Sequence, residues 1–373
     1  MDIQIKEVRG RKELRKFIHL PARIHKGHKN WVPPLYMDEW VYYNPKKNKS
    51  FSHCDTILLL AYRENRPVGR IMGIINHRYN KSHNENHARF CWMECYNEPE
   101  VAAALLDAVE VWARNKNMEK LVGPLGFSDK DPQGFLIEGF DNPIVIATNC
   151  NYPYMVDFIE MNNFMKKIDL VVYRIEIPDK LPELYEKLSE RALSRLKLRM
   201  VEYTKKSELK PMIRPVLNLV NETFTDIYGF DQMDDREMDE LAARYMPILD
   251  PRFIKCIYNE KDELIAFVLG MPDMSPGIIR SRGYLLPIGI LLILLSARRT
   301  KQLDLFLGAI RKDYRNNGLD ALMAIKMAES AKKAGFQSVD SHLELENNFR
   351  VRAEMERAGG RVYKKYRIYA KDL

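Results

Sequence analysis

The sequence predicts a mixed α/β protein built from two like halves, each a mixed, twisted sheet flanked by helices. One order of elements (hairpin, strand, helix, strand, helix, strand) runs through residues 1–178 and again through 179–373. Between the two runs, Pro178 and Pro182 interrupt both strand and helix periodicity, which marks the seam. At 373 residues the chain exceeds one ordinary domain, and 46% hydrophobic with 29% charged residues is a globular composition.

In the first half, residues 3–8 alternate like a strand and a basic helical segment follows from Arg11. Residues 56–62 and 68–75 read as a hairpin around Arg63–Pro67, and residues 88–95 as a further strand. Val101, Leu105, Ala108, Val109 and Trp112 fall at helical spacing. A short strand at 120–122 ends at Gly123-Pro124, and a helix at 154–161 and a strand at 168–177 complete the unit. In the second half, a strand at 197–203 precedes a helix at 212–225. Strands at 253–258 and 264–271 flank Asn259–Glu263, and residues 303–310 form another strand. The helix at 319–334 carries Leu319, Leu322, Met323 and Met327 on one face, with Gly335 as its cap. A strand at 338–343, a helix at 348–357 and a strand at 361–369 end the chain.

The formal charge of +8 suits anionic partners such as phosphate-bearing ligands or acidic lipid headgroups, and equally a solvated basic surface. No helix-turn-helix, zinc-finger or stacking-sheet pattern is present, so nucleic acid is not expected as a partner. Five scattered cysteines argue against a disulfide framework and suit a reducing cytoplasm. Cys91 and Cys95 have no second pair, and His83 and His87 flank a loop-like Asn84 and Asn86, so no metal site is expected. MDIQIKEVRG lacks the apolar core of a signal peptide, and the apolar run at 284–295 is well short of the roughly 20 residues that span a bilayer. A cytoplasmic protein is expected; the sequence leaves its oligomeric state open.

The chemistry-bearing segment runs Leu307-Gly308-Ala309-Ile310-Arg311-Lys312-Asp313-Tyr314-Arg315-Asn316-Asn317-Gly318-Leu319-Asp320-Ala321-Leu322. It resembles the cofactor motif of the GNAT N-acetyltransferase superfamily: a strand, a turn reading Arg/Gln-x-x-Gly-x-Gly/Ala, and a helix. Backbone N–H groups at such a helix start cradle a pyrophosphate, and small residues let it approach. Arg315 and Gly318 match. The surrounding frame matches over roughly the last 170 residues, with a degenerate copy before them.

The resemblance implies an acyl-CoA-dependent N-acyltransferase, using acetyl-CoA or a longer acyl-CoA as donor and a small-molecule or lipid-like amine as acceptor. Arg311, Arg315, Asn316, Asn317, Gly318, Leu319 and Asp320 would hold the pyrophosphate, and backbone donors near Ala309 and Ile310 would polarise the thioester carbonyl. Asp320 stands where the family has Gly or Ala. A carboxylate about 5 Å from a phosphate costs about 3 kcal/mol at an effective dielectric of 20. In a first helical turn it also stabilises the dipole by ~0.3–1 kcal/mol without any ligand. In the first half, Glu98, Pro99 and Glu100 occupy the helix start, two carboxylates and a missing donor where a phosphate would sit. The tyrosine that the family uses to protonate the leaving thiolate corresponds to Met355 and Ile159, which transfer no proton. Glu344 and Glu346 are the candidate bases. These departures support a rival reading: a non-catalytic GNAT-fold protein that binds a cofactor or lipid.

Two further segments are unusual. The Gly- and Asp-rich stretch at 123–141 reads as a binding loop or as a set of tight turns, with Asp131, Gln133, Glu138 and Asp141 as candidate acceptor-binding groups. The run at 284–295, followed by Arg298, Arg299 and Lys301, reads as a buried helix between the halves, a wall for a long acyl chain, or a peripheral membrane contact.

Overall fold

A computed structural model describes residues 2–178 and 197–373; most of the seam, residues 179–182, lies outside the described residues. The first half contains strands β1 (Gln4–Glu7), β2 (Cys54–Arg63), β3 (Arg66–Asn76), β4 (His87–Cys95), β5 (Lys120–Gly123), β6 (Phe135–Glu138) and β7 (Met165–Glu176). Its helices are α1 (Gly10–His19), α2 (Pro21–Ile24), α3 (Tyr36–Tyr42), α4 (His77–His83), α5 (Pro99–Asn115) and α6 (Tyr154–Met161). The second half contains β8 (Arg199–Glu202), β9 (Ile254–Tyr258), β10 (Leu264–Pro272), β11 (Gln302–Ile310), β12 (Ser338–Asp340), β13 (Glu344–Leu345) and β14 (Arg361–Asp372). Its helices are α7 (Lys210–Thr223), α8 (Asp235–Tyr245), α9 (Ser275–Ser281), α10 (Gly289–Arg299), α11 (Leu319–Lys333) and α12 (Phe349–Arg357).

All the strands join one sheet in the order β1-β2-β3-β4-β5-β14-β7-β12-β11-β10-β9-β8, with β6 on β14 and β13 on β7. The halves exchange their last long strands. β14, from the end of the chain, lies between β5 and β7, and β7 lies between β14 and β12. Each half also has one short parallel pairing, β4 with β5 and β11 with β12; the other strand pairings of the sheet are antiparallel.

Helices cover the sheet with the faces that their spacing sets. α5 buries Val101, Leu105 and Val109 against Ile71 and Phe90, each such side chain contributing about 1.5–3 kcal/mol relative to exposure. α7 buries Val216, Leu219 and Val220 with Phe267, whereas α11 packs Leu319, Leu322 and Met323 against Ile257 and Ile265. The expected strand at 338–343 is broken into β12 and β13, because the chain between them is drawn from β11 onto β7. The run at 284–295 is not the buried helix that its composition suggests: Leu286, Leu291 and Leu294 are 72%, 58% and 49% exposed. The buried residues of α10 are Gly289, Ile293 and Ser296. None of the described helices is long and apolar enough to cross a membrane.

Candidate functional site

β11 and β12 pair through Gln302↔Ser338, Leu303↔Val339 and Asp304↔Asp340, and then part. Two local features open the gap. Leu307 faces Leu269 and Leu305 faces Gly270, so Phe306 is an extra residue in β11, a bulge that turns the strand. Across the gap the Ser341 amide donates to Tyr173 O at 2.9 Å, and the Tyr173 amide donates to Ser341 Oγ at 2.9 Å, pulling the chain onto β7. Past Asp340, β11 leads to the turn at 315–318 and β12 leads to His342 and Glu344.

The turn has the geometry of an anion cradle. Asn316 and Gly318 lie in the left-handed region, with φ of 67° and 76°, and a side chain added at Gly318 would meet nothing within 4 Å. Among the described residues no acceptor takes the N–H groups of Asn316, Asn317, Gly318 or Leu319, which stand at the positive end of the α11 dipole. Arg315 braces the turn, its Nε donating to Ile310 O at 3.1 Å. Arg311 is committed elsewhere: it chelates Asp313 at 2.9 and 3.1 Å and reaches Glu263 at 3.2 Å. Ala309 is buried on β11 opposite Phe267, and Ile310 opposes Ala266.

Asp320 turns toward α12. It lies 3.6 Å from Arg350 and hydrogen-bonds the Glu354 carboxyl, which burial and that contact push up to about 8. Burial alone would raise Asp320, but the Glu354 proton and Arg350 hold its carboxyl low. Asp320→Asn should therefore change the affinity of this turn for a pyrophosphate-bearing ligand less than about threefold, since the charge it removes is already paired. A tenfold or greater gain in calorimetry would put this carboxylate among the phosphates.

The two candidate bases differ sharply. Glu346 accepts from Lys166 Nζ at 2.8 Å and from the Asp169 amide at 3.0 Å, so it pins β13 to β7. The Glu344 carboxyl makes no hydrogen bond or ion pair among the described residues, and burial pushes it up to about 8. Two residues before Glu344 is His342, absent from the sequence-based candidates. Its Nε2–H donates to Ile146 O at 3.2 Å, which leaves Nδ1 as the acceptor, and burial lowers its pKa. Its ring packs 5.2 Å from Phe306, the bulge residue, which in turn lies 5.5 Å from Tyr245.

Beneath the gap lies a cluster of buried charge. Asp304 and Asp340 are neighbours in register, Tyr363 O–H donates to Asp340, and Gln302 Nε2 donates to Asp304 at 2.9 Å. Lys364, fully buried, lies 3.8 Å from Asp340 and donates to Pro143 O at 3.1 Å. Burial, then the charges of Asp340 and Asp273, push Asp304 well above the usual carboxylate range. No spacing rule flags these residues, but a carboxylate flanked by apolar neighbours on a strand, as in Leu303-Asp304-Leu305, was a readable signal.

The corresponding gap in the first half is filled. Arg89, fully buried, donates to Gly126 O and Phe127 O, and Arg63 bridges Glu98 and Glu100 across the start of α5. Glu94 accepts from Arg70 at 2.7 Å and pairs with His25 at 3.0 Å. A ring nitrogen of His25, one of His28 and Cys150 Sγ lie within 4.8 Å of one another, a grouping that no sequence spacing announced. The two imidazoles share a 2.9 Å hydrogen bond. The 123–141 loop is held by its own polar groups. Asp131 accepts from Tyr42 O–H and from the Phe127 amide, Gln133 donates to Asp129 O, and Glu138 pairs with Lys365. Asp141 remains exposed.

No protein-family model matches the chain. It is similar to the bacterial ceramide synthase of Caulobacter vibrioides, 26% identical over all of this chain and 98% of that protein. It is also similar to protein YghO of Escherichia coli, 24% identical over 98% of this chain and 94% of that protein. Among solved structures, a tandem GNAT protein from the clavulanic acid biosynthesis pathway superposes with a TM-score of 0.56 at 9% identity, covering 100% and 98% of the two chains. A GCN5-related N-acetyltransferase from Sphaerobacter thermophilus gives 0.53 at 10% identity, covering 99% and 95%. The fold is a tandem GNAT-like α/β fold, as the sequence predicted.

Proposed function

We propose that the protein transfers an acyl group from an acyl-CoA to the amine of a lipid-like acceptor. The observation that carries this reading is the turn at 316–319: four backbone donors that find no acceptor among the described residues, at the start of a 15-residue helix, where β11 and β12 part. A pyrophosphate supplies the acceptors they lack. Ala309, Ile310 and the bulge at Phe306 lie on the strand edge that β12 leaves unpaired, where a backbone N–H polarises a thioester carbonyl. The amine nitrogen attacks that carbonyl carbon, a C–N bond forms and the C–S bond breaks. The amine's proton passes to Glu344, with His342 Nδ1 as the neighbouring acceptor, and the thiolate leaves to take up a proton from solvent. The similarity to a ceramide synthase favours a long-chain amino alcohol as acceptor and a fatty acyl group as donor.

Thermal shift with coenzyme A, acetyl-CoA and palmitoyl-CoA tests the first step. A ligand at about 100 times its Kd stabilises by ~2.7 kcal/mol, and each buried methylene adds up to ~0.8 kcal/mol, so the long-chain form should give the largest shift. Thiol release on adding a long-chain amino alcohol tests the second. Binding without thiol release would identify a non-catalytic cofactor- or lipid-binding protein; no shift with any of the three would end the acyl-CoA reading.

A further inference from the structure

The most anomalous surface of the molecule lies away from the site. α9 and α10 form a tight hairpin: a Cβ on Gly277 would lie 2.6 Å from Ile293 Cα, and one on Gly289 would lie 1.7 Å from Tyr284 O. With its small residues packed inward, the hairpin turns its aliphatic ones outward. Tyr284, Leu286, Ile288, Ile290, Leu291 and Leu294 are each about half exposed or more. A surface helix of a water-soluble protein carries polar residues there, and a contiguous apolar face marks a contact.

Charge frames this face with a single sign. From Ser275 to Arg299 the chain has four arginines, Arg280, Arg282, Arg298 and Arg299, and no acidic residue. All four are exposed, and none makes an ion pair among the described residues. The loop between the two helices docks onto the first half: the Tyr36 amide donates to Gly283 O at 3.1 Å, and the Tyr284 ring lies 4.8 Å from Tyr36 and 6.4 Å from His19. That contact sets the hairpin beside the basic face of α1. Arg11, Lys12, Arg15, His19, Trp40 and Tyr284 together line an open cavity of about 610 Å³. Arg11 lies over the Trp40 ring at 5.6 Å, and among the described residues neither Lys12 nor Arg15 has a carboxylate partner. Glu13, the acidic residue of α1, caps the Arg9 amide at 2.7 Å; on α3, Glu39 is buried, which leaves the half-exposed Asp38. His19 reports the resulting potential: burial and then the charges of Arg15 and Arg23 lower its pKa.

We propose that the α9–α10 hairpin and the basic face of α1 form one docking surface for an anionic lipid bilayer. The aliphatic row enters the acyl region, the arginines meet lipid phosphates, and the Arg11–Lys12–Arg15 cavity receives a headgroup. A second copy of the chain fits this face poorly, because a twofold contact would set each copy's four arginines against the other's. The inference stands independently of acyl transfer, since it needs neither coenzyme A nor turnover.

Co-sedimentation of the full chain with vesicles tests it. Binding should be at least tenfold tighter to phosphatidylcholine containing about a third phosphatidylglycerol than to phosphatidylcholine alone. It should also fall steeply between about 0.1 and 0.5 M salt. Arg11→Glu with Arg15→Glu should weaken binding at least tenfold, at roughly fivefold per charge removed. Leu291→Asp with Leu294→Asp should do the same while leaving the thermal midpoint unchanged, because both side chains are about half exposed. Equal binding to both vesicle types, no binding, or full binding by the leucine variant would overturn the proposal. So would a wild-type dimer that the leucine variant converts to a monomer, which would assign the face to self-association.

Discussion

Replacing Glu344 by glutamine should lower kcat/KM for amine acylation by about 10²–10⁴-fold while leaving the affinity for coenzyme A unchanged. The loss follows from what surrounds the carboxyl. It has no hydrogen-bond or ion-pair partner among the described residues, and burial pushes it up to about 8, well placed to take a proton near neutrality. A base acts in its deprotonated form, so kcat/KM should rise with pH on a limb centred near 8 and level off above it. Glutamine keeps the shape and removes the basicity, so the limb should disappear together with the rate. Glu346→Gln is the contrast. That residue braces β13 through Lys166 and the Asp169 amide, so its replacement should cost stability more than rate. If Glu344→Gln costs less than about tenfold and His342→Gln carries the loss, the proton goes to the imidazole and the assignment of Glu344 fails.

How much of this site was legible in the sequence depended on how local its determinants were. The strand–turn–helix around Gly318 was readable because positive φ, a free helix start and a preceding strand are all properties of one short segment. The direction of Asp320 was not, because Arg350 and Glu354 arrive from a helix about thirty residues later. Both hairpins of the sheet were found where their turn residues put them. The exchange of β7 and β14 was invisible, since alternation says that a strand is half-buried and nothing about which half it joins. His342 was missed for a similar reason: a lone histidine after a short strand becomes a candidate only when Phe306 and the Ile146 carbonyl meet it. The apolar run at 284–295 was noticed but best matched a buried helix, because hydrophobicity alone does not tell core from an outward face.

The exchanged strands join the halves through backbone, and ion pairs join them through side chains, among them Lys166–Glu346, Arg367–Asp169 and a buried cluster around Asp231. Asp231, 5% exposed, accepts from Arg78 Nε and Nη2 at 2.8 Å each and from Asn76 Nδ2 at 2.9 Å, with His53 at 3.5 Å. Arg78 also holds Glu237, and Lys130 donates to the Asp231 carbonyl at 3.1 Å. Every donor here belongs to the first half and both carboxylates to the second. Asp231→Ala strips a partly exposed cation, Arg78, of its main partner. Losses for such breaks run about 3–5 kcal/mol, and since Arg78 is 33% exposed the low end, about 3 kcal/mol, is expected. Asp231→Asn, which keeps one acceptor oxygen, should cost less. The pH dependence has a definite sign. Burial alone would raise the Asp231 carboxyl, but hydrogen bonds from His53, Arg78 and Asn76 bring it well below the usual carboxylate range. Its contribution is therefore present above the unfolded value of about 3.9 and is lost as pH falls through the lower folded value. Urea unfolding between about pH 7 and pH 3 should show wild type losing stability more steeply at the acid end than Asp231→Asn. Equal slopes, together with a cost below about 1 kcal/mol for Asp231→Ala at neutral pH, would mean that this cluster adds little to what the strand exchange and the other ion pairs contribute.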